Sequence, residues 1–265
     1  MSKSFASAGD LAEKPISFTE IGDGLYAFTA GGDPNSGVVV GDDAVMVVDA
    51  QATPAMAGSV IERLRTVTDK PVKYVVLTHY HAVRVLGASA YGASEIVASD
   101  ACRAMIHERG REDWDSEFAR FPRLFRAAET IPGLTWPTLT FPRRMTVHLG
   151  RRRVDLLHLG RAHTAGDVVV HVPDAGVVFS GDVVEYRSAC YCGDAHFGDW
   201  PATLDAVAAL APRALVPGRG EALVGVEKVA EAIALTREFL DATYRPVAAV
   251  AARGGSLKEA WRAAR

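Results

Sequence analysis

The feature that most constrains this chain is the run Val72-Lys73-Tyr74-Val75-Val76-Leu77, followed at once by Thr78-His79-Tyr80-His81-Ala82-Val83-Arg84. Apolar and β-favouring residues fill all but one position of the run, which predicts a buried strand. The polar segment after it predicts a turn at the strand's C-terminal edge. Just upstream, residues 54–68 begin with Pro54, suited to a first helical position, and place Met56, Val60, Ile61, Leu64 and Val67 at helical spacing. A strand pattern at 44–48 precedes that helix, so the passage reads as β-α-β. His79 and His81 can converge on one ion if the turn folds them together, since neutral imidazole is a common ligand for zinc and is also used by iron. An isolated His-x-His pair is equally what two unrelated loop histidines look like, and the remainder of the chain decides.

The other elements follow the same logic. Residues 24–29, 36–40 and 44–48 read as short strands, separated by Gly31-Gly32-Asp33-Pro34-Asn35 and Gly41-Asp42-Asp43, which predicts an antiparallel meander. Asp49 closes the third strand, either capping a turn or supporting the histidines from behind. A small-residue helix is expected through Ala88 to Tyr91, a strand at 95–98, and a helix at 101–108 capped by Ser99-Asp100. From 109 to 137 the composition shifts to arginine and aromatics. Trp114, Phe118, Phe121, Leu124 and Phe125 recur every three or four residues and Pro122 interrupts them. This predicts a helical insertion packed over the core, with a substrate lid or a homodimer contact as the sharper reading. Strands at 138–141, 145–149, 153–159, 168–172 and 177–180, a helix at 201–210, a strand at 214–216 and a helix at 226–244 repeat the pattern. Ser256 and Glu259 then open a last helix with a capping box. Strands followed by helices, twice over, predict an α/β fold whose two sheets pack face to face with helices outside, a four-layer αββα sandwich. Residues 1–15 read as a flexible N-terminal arm and 16–265 as one domain.

Composition excludes some partners. With 265 residues, 49% of them hydrophobic and 23% charged, the chain is the size of one large globular domain. A formal net charge of -3 gives no electrostatic case for nucleic acid or an anionic membrane, so a small-molecule partner is expected. The first 15 residues lack the apolar core of a signal peptide, and no stretch approaches the roughly 18 uninterrupted apolar residues of a membrane span. Cys102, Cys190 and Cys192 are odd in number and make a poor disulfide framework, so a reducing cytoplasm is the expected compartment. Cys190 and Cys192 are also too close for Cys-x-x-Cys chemistry.

Three further polar turns follow predicted strands: Gly160-Arg161-Ala162-His163-Thr164-Ala165-Gly166-Asp167, Ser180-Gly181-Asp182, and Pro217-Gly218-Arg219-Gly220. Taken with Thr78 to Arg84, they resemble the metallo-β-lactamase-fold hydrolase superfamily. Its pattern runs Thr-His-x-His-x-Asp-His, Gly-x-x-His-Thr-x-Gly, Ser/Thr-Gly-Asp, Pro-Gly-His-Gly. His79, His81, His163 and Asp182 match in order and at similar spacing, and Asp49 matches the acidic end of an early strand. The resemblance covers roughly residues 16–240. The run from Gly193-Asp194 through Trp200 to Pro217-Gly218 is also similar to the SoxH-type branch.

The departures are informative. Where the family has the Asp and second His of its first motif, this chain has Val83 and Arg84, and the His of the last motif is Arg219. Valine offers no donor atom and arginine stays protonated, so the resemblance implies a disabled second metal site. It implies one zinc held by three histidines with an open position, with Asp182 beside it as a further ligand or as a base. Arg84 and Arg219 either balance Asp182 or clamp an anionic substrate. His196, in the loop after Asp182, is an acid, a substrate contact, a replacement ligand or a plain loop residue. His107, His148, His158 and His171 have no partner motif and read as structural.

These observations predict a mononuclear zinc hydrolase of a small ester, thioester, lactone or amide. The alternatives are a mononuclear iron oxygenase of the persulfide dioxygenase type, built on His79, His163 and Asp182, and a non-catalytic metal- or ligand-binding protein. True β-lactamase activity is not expected, since the fold hosts many chemistries.

Overall fold

Each half of the chain lays down a sheet, and the strands of each sheet sit in sequence order. The computed structural model describes residues 5–264. In the first half, β1 (Ile16–Gly22), β2 (Leu25–Ala30), β3 (Ser36–Val40) and β4 (Val45–Val48) form the antiparallel meander. Helix α1 (Pro54–Leu64) crosses to β5 (Val72–Val76), which pairs parallel with β4. A single-turn helix α2 (Ala82–Val85) and a 3-10 turn (Ala88–Tyr91) lead to β6 (Glu95–Ser99). Helix α3 (Asp100–Arg120) and two 3-10 turns then lead to β7 (Leu139–Phe141), completing seven strands. In the second half, β8 (Arg144–Leu149), β9 (Arg152–Leu157), β10 (Val169–Val172) and β11 (Val177–Gly181) run antiparallel. Helix α4 (Trp200–Ala209) crosses to β12 (Ala214–Pro217), parallel to β11, and β13 (Leu223–Val224) forms the edge. Helices α5 (Val226–Ala252) and α6 (Leu257–Ala263) finish the chain.

Strand periodicity divides the interior into three apolar layers. Val38, Val45 and Val47 face the helix side with Ala57, Val60 and Leu64 of α1. Their neighbours Val39, Met46 and Val48 face the other way and meet Leu156, Val170 and Phe179 of the second sheet. The opposite side chains of that sheet, Val169, Val178 and Leu215, pack on Trp200, Leu204 and Val207 of α4 and Val229 and Ile233 of α5. Three cores between four layers are the αββα sandwich that the strand and helix order predicted.

Local signals set the helix starts. The Thr53 hydroxyl accepts from Met56 N at 3.1 Å before Pro54, Ser99 accepts from Cys102 N at 3.0 Å, and Ser256 and Glu259 form the expected capping box. One boundary is corrected. The helix expected to end at 108 runs unbroken to Arg120, because only Pro122 stops it. Two strands were not anticipated, β1 because its side chains are mostly exposed and show no clean alternation, and β13 because it has two residues. Residues 1–4 of the expected arm lie outside the described residues. The rest of it holds a 3-10 turn (Ala6–Gly9) and Asp10, whose carbonyl accepts from Arg123 Nε at 3.3 Å. Among the described residues no helix is long and apolar enough to cross a membrane, and Cys102, Cys190 and Cys192 are free thiols.

Leu156 is fully buried between the sheets. Leu156→Ala is expected to lower the unfolding free energy by about 2–5 kcal/mol through lost transfer energy and a cavity, seen as a lower urea midpoint with an unchanged slope.

Candidate metal centre

The polar turns gather at one edge of the sandwich because they follow the C-terminal ends of β4, β5, β9, β11 and β12. Asp49 follows β4, His79 and His81 follow β5, His163 lies between β9 and β10, Asp182 follows β11, and Gly218 follows β12. Cross-sheet bonds hold the edge together. Val168 N donates to Thr78 O at 2.7 Å, Asn35 N to Gly218 O at 2.9 Å, and Asn35 Nδ2 to the carbonyls of Pro217 and Gly220, both at 2.9 Å. Glycine is required at 218, where a Cβ would lie 2.1 Å from Asp182 Oδ1. Asp49 sits in the left-handed region at φ 62°. Its carboxylate stabilises that backbone by accepting from Thr78 N and Thr78 Oγ1, each at 2.8 Å.

His79, His81 and His163 are buried, and their rings stand nearly perpendicular to one another with centroids 4.7–4.8 Å apart. One ligand atom from each lies within 4.8 Å of the other two. The outer nitrogens decide which atoms these are. His163 Nδ1 faces the Tyr191 carbonyl at 3.0 Å, so it must be the donor, and Nε2 carries the lone pair. Thr78 Oγ1 gives its proton to Asp49, so it accepts from His79 Nδ1 at 3.0 Å and leaves His79 Nε2 as a lone pair. That His79 Nε2 is buried without a hydrogen-bond partner. The outer nitrogen of His81, Nε2, meets Asp194 Oδ2 at 3.0 Å, so its Nδ1 points inward, 3.0 Å from His163 Nε2. Converging imidazole lone pairs, one of them orphaned in the interior, are the donor set of a borderline-soft cation such as zinc. The residues fit a metal.

Burial drives the His79 imidazole well below its usual pKa and that of His163 to about 3, with Asp182 opposing in both cases, so both are neutral as ligation requires. At His81 burial also lowers the value, but the Asp194 hydrogen bond and the charges of Asp113, Glu117 and Asp182 raise it overall. Asp182 Oδ2 lies 3.7 Å from His79 Nε2 and 3.5 Å from His163 Nε2, beside the point of convergence. Burial would raise its carboxyl. Arg84 first, then His79, His163 and Arg219, outweigh burial and hold it far below the usual carboxylate range.

Arg84 is fully buried. Its Nη2 binds Asp182 Oδ1 and donates to Gly218 O at 2.8 Å, while Nη1 donates to Asn35 O at 2.9 Å and faces Asp49 Oδ2 at 3.5 Å. Of the residues singled out in the sequence, the structure therefore brings together His79, His81, His163, Asp182, Arg84 and Asp49. It does not bring the other two as close. Arg219 is half-buried, donates to Gly32 O at 3.3 Å and lies over the Phe121 ring at 5.8 Å. His196 contributes its backbone, its N–H donating to Ala162 O at 2.8 Å and its carbonyl accepting from Asp199 and Trp200.

Sequence reasoning missed the cover of the site. The Tyr191 ring packs 5.4 Å from His81 and 6.1 Å from His163, and the Arg120 guanidinium stacks 4.5 Å from its centroid. Arg109, Asp113, Glu117 and Arg120 recur at intervals of four, four and three along α3. That spacing was the available signal for one polar helical face turned inward. Asp113 Oδ2 accepts from Ala82 N at 2.7 Å, Glu117 binds Arg120 at 2.8 Å, and Arg109 binds Asp194.

Comparison with known proteins agrees with this geometry. A family model described as the metallo-beta-lactamase superfamily matches residues 29–219. Among curated proteins, a linear primary-alkylsulfatase from a Pseudomonas species is 23% identical over 75% of this chain and 43% of its own length. A type 2 metallo-beta-lactamase from Bacteroides fragilis is 30% identical over 43% of this chain and 47% of its own. The chain thus spans about half the length of the curated relatives it matches. Among solved structures, a metallo-beta-lactamase from Pontibacter korlensis superposes with a TM-score of 0.67 at 19% identity, covering 86% of this chain and 99% of that one. The mono-zinc form of FIM-1 from Pseudomonas aeruginosa gives 0.65 at 20% identity, covering 86% and 96%.

Replacing Arg84 by Met leaves Asp182 and Asp49 buried without their guanidinium. The expected loss is about 3–5 kcal/mol of stability, measured by denaturant unfolding, with part of it recovered when Asp182→Asn is added. A loss below about 1 kcal/mol would show that the buried pair is energetically idle.

Proposed function

The chain belongs to the metallo-beta-lactamase superfamily, and on that premise we propose that it is a mononuclear metal-dependent hydrolase. In this reading it uses zinc to cleave an ester, thioester, lactone or amide of a small anionic substrate. The observation that carries the proposal is Arg84, whose guanidinium binds Asp182 and occupies with a fixed positive charge the position where a second cation would need ligands. Zinc on three imidazoles with an open position supplies an acidified water and polarises the scissile carbonyl.

The chain's own residues do the rest. Asp182, held ionised by Arg84, stands 3.5–3.7 Å from two of the inward imidazole nitrogens, where it serves as a further ligand or accepts a proton from the attacking water. Arg84 acts on the substrate through charge, since both its terminal nitrogens are already engaged. Tyr191 and Arg120 close the site and exclude water, so substrate entry requires Tyr191 to swing away. Arg219 and His196, on neighbouring loops, are the substrate-contacting residues of this proposal, with Arg219 taking the anionic group. The alkylsulfatase relative supports including sulfate esters among the candidates.

A second reading rests on the same distances. His79, His163 and Asp182 form a two-histidine, one-carboxylate set suited to iron and oxygen chemistry. A binding protein without turnover is the remaining option.

Protein purified without added metal is expected to carry about one zinc per chain. It should hydrolyse at least one member of a panel of p-nitrophenyl esters, thioesters, lactones and alkyl sulfates. A chelator should abolish that activity, zinc should restore it, and His79→Ala and His163→Ala should lose both metal and turnover. Stoichiometric iron with oxygen uptake would move the assignment to the second reading, and turnover indifferent to chelation would remove the metal from the mechanism.

A further inference from the structure

The loop between β11 and α4 reaches the imidazoles from outside the site and touches two of them at their outer nitrogens. Tyr191 does so through its carbonyl, at His163, and Asp194 through its carboxylate, at His81. Asp194 is built for more than a loop tether. Its side chain is only 4% exposed, and both oxygens are used. Oδ2 is shared by His81 Nε2 at 3.0 Å and the Tyr80 phenol, which donates at 2.7 Å, while Oδ1 takes Arg109. Tyr80 precedes His81 in the chain, and Asp113 accepts from Ala82 N just after it, so the residues on both sides of His81 are fixed by carboxylates.

His81 also differs from the other two imidazoles. His79 and His163 turn Nε2 inward, whereas His81 turns Nδ1 inward. An imidazole that ligates through the nitrogen next to its own Cβ has little freedom to adjust by rotation, so its outer nitrogen must be held. We infer that Asp194 is the positioning residue of the metal centre. It fixes His81 with Nε2–H outward and the Nδ1 lone pair inward, and so sets the affinity for the metal. This inference rests on the metal-centre reading above and goes beyond it, because Asp194 matches no ligand motif.

The test is zinc affinity of the full chain by competition with a chromogenic chelator, comparing wild type with His163→Ala, Asp194→Asn and Asp194→Glu. Wild type is expected to bind one zinc and His163→Ala to bind none with comparable affinity. Asp194→Asn is expected to bind roughly 10–100-fold more weakly, and Asp194→Glu to recover part of that loss. If wild type takes up no zinc that depends on the histidines, the metal-centre reading fails and this inference with it. If wild type binds and Asp194→Asn stays within about threefold of it, the inference alone is overturned. Should Asp194→Asn fail to fold, nitrogen-15 spectra of histidine-labelled, zinc-loaded wild type decide the matter. Metal on Nδ1 of His81 with a proton on Nε2 supports the assignment, and metal on Nε2 refutes it.

Discussion

The guanidinium of Arg84 is the interaction on which this edge of the molecule depends. It lies where the two sheets meet, binding Asp182 after β11, facing Asp49 after β4, and donating to the carbonyls of Gly218 after β12 and Asn35 before β3. A planar fork that cannot lose its charge is suited to this, because it satisfies carboxylates and carbonyls from different elements at once. Burying a cation costs several kcal/mol, and two carboxylates with two carbonyls offset that cost. Its Nε, buried without a partner, remains as residual strain on the arrangement. The carboxylates respond unequally. Burial raises Asp49 to about 6 despite Arg84 and Thr78, while Asp182 is pulled far below its ordinary range.

With Asp182 held as an anion, the neighbouring imidazoles have a defined role. Burial keeps His79 and His163 neutral, and a carbonyl and a hydroxyl fix which nitrogen of each faces inward. The Thr78 hydroxyl links the two networks, since it gives its proton to Asp49 and receives one from His79. Charge balance around Arg84 and ligand orientation around the triad are thus one connected system, in which the loss of any member leaves a buried group unpaired.

The cover over the triad comes from α3 and the loop after β11, and it brings a second set of charges. Arg109, Asp113, Glu117 and Arg120 face inward from one helix, and Tyr191 lies between Arg120 and the imidazoles. Glu117 Oε2 and Arg120 Nε are buried and unpartnered, which makes this wall a strained surface beside a reactive centre. In a fold that hosts many chemistries, such walls decide which substrate enters.

The sequence by itself determined the layered α/β fold and the inner half of the site. Period-two strands separated by helices leave few ways to bury both faces of two sheets, and His79, His81, His163 and Asp182 stand at strand ends where local patterning makes them visible. The loss of a second metal site was legible as well, because Val83 and Arg84 cannot ligate whatever their surroundings. Only the tertiary structure decided that Arg84 lies buried on Asp182 while Arg219 turns towards Gly32 and Phe121. Only it showed that α3 turns a charged face inward and that Asp194, more than a hundred residues from His81, is its partner. Strand and helix periods are local and survive in one dimension. The partner of a charge is set by which loops the two sheets bring to the same edge.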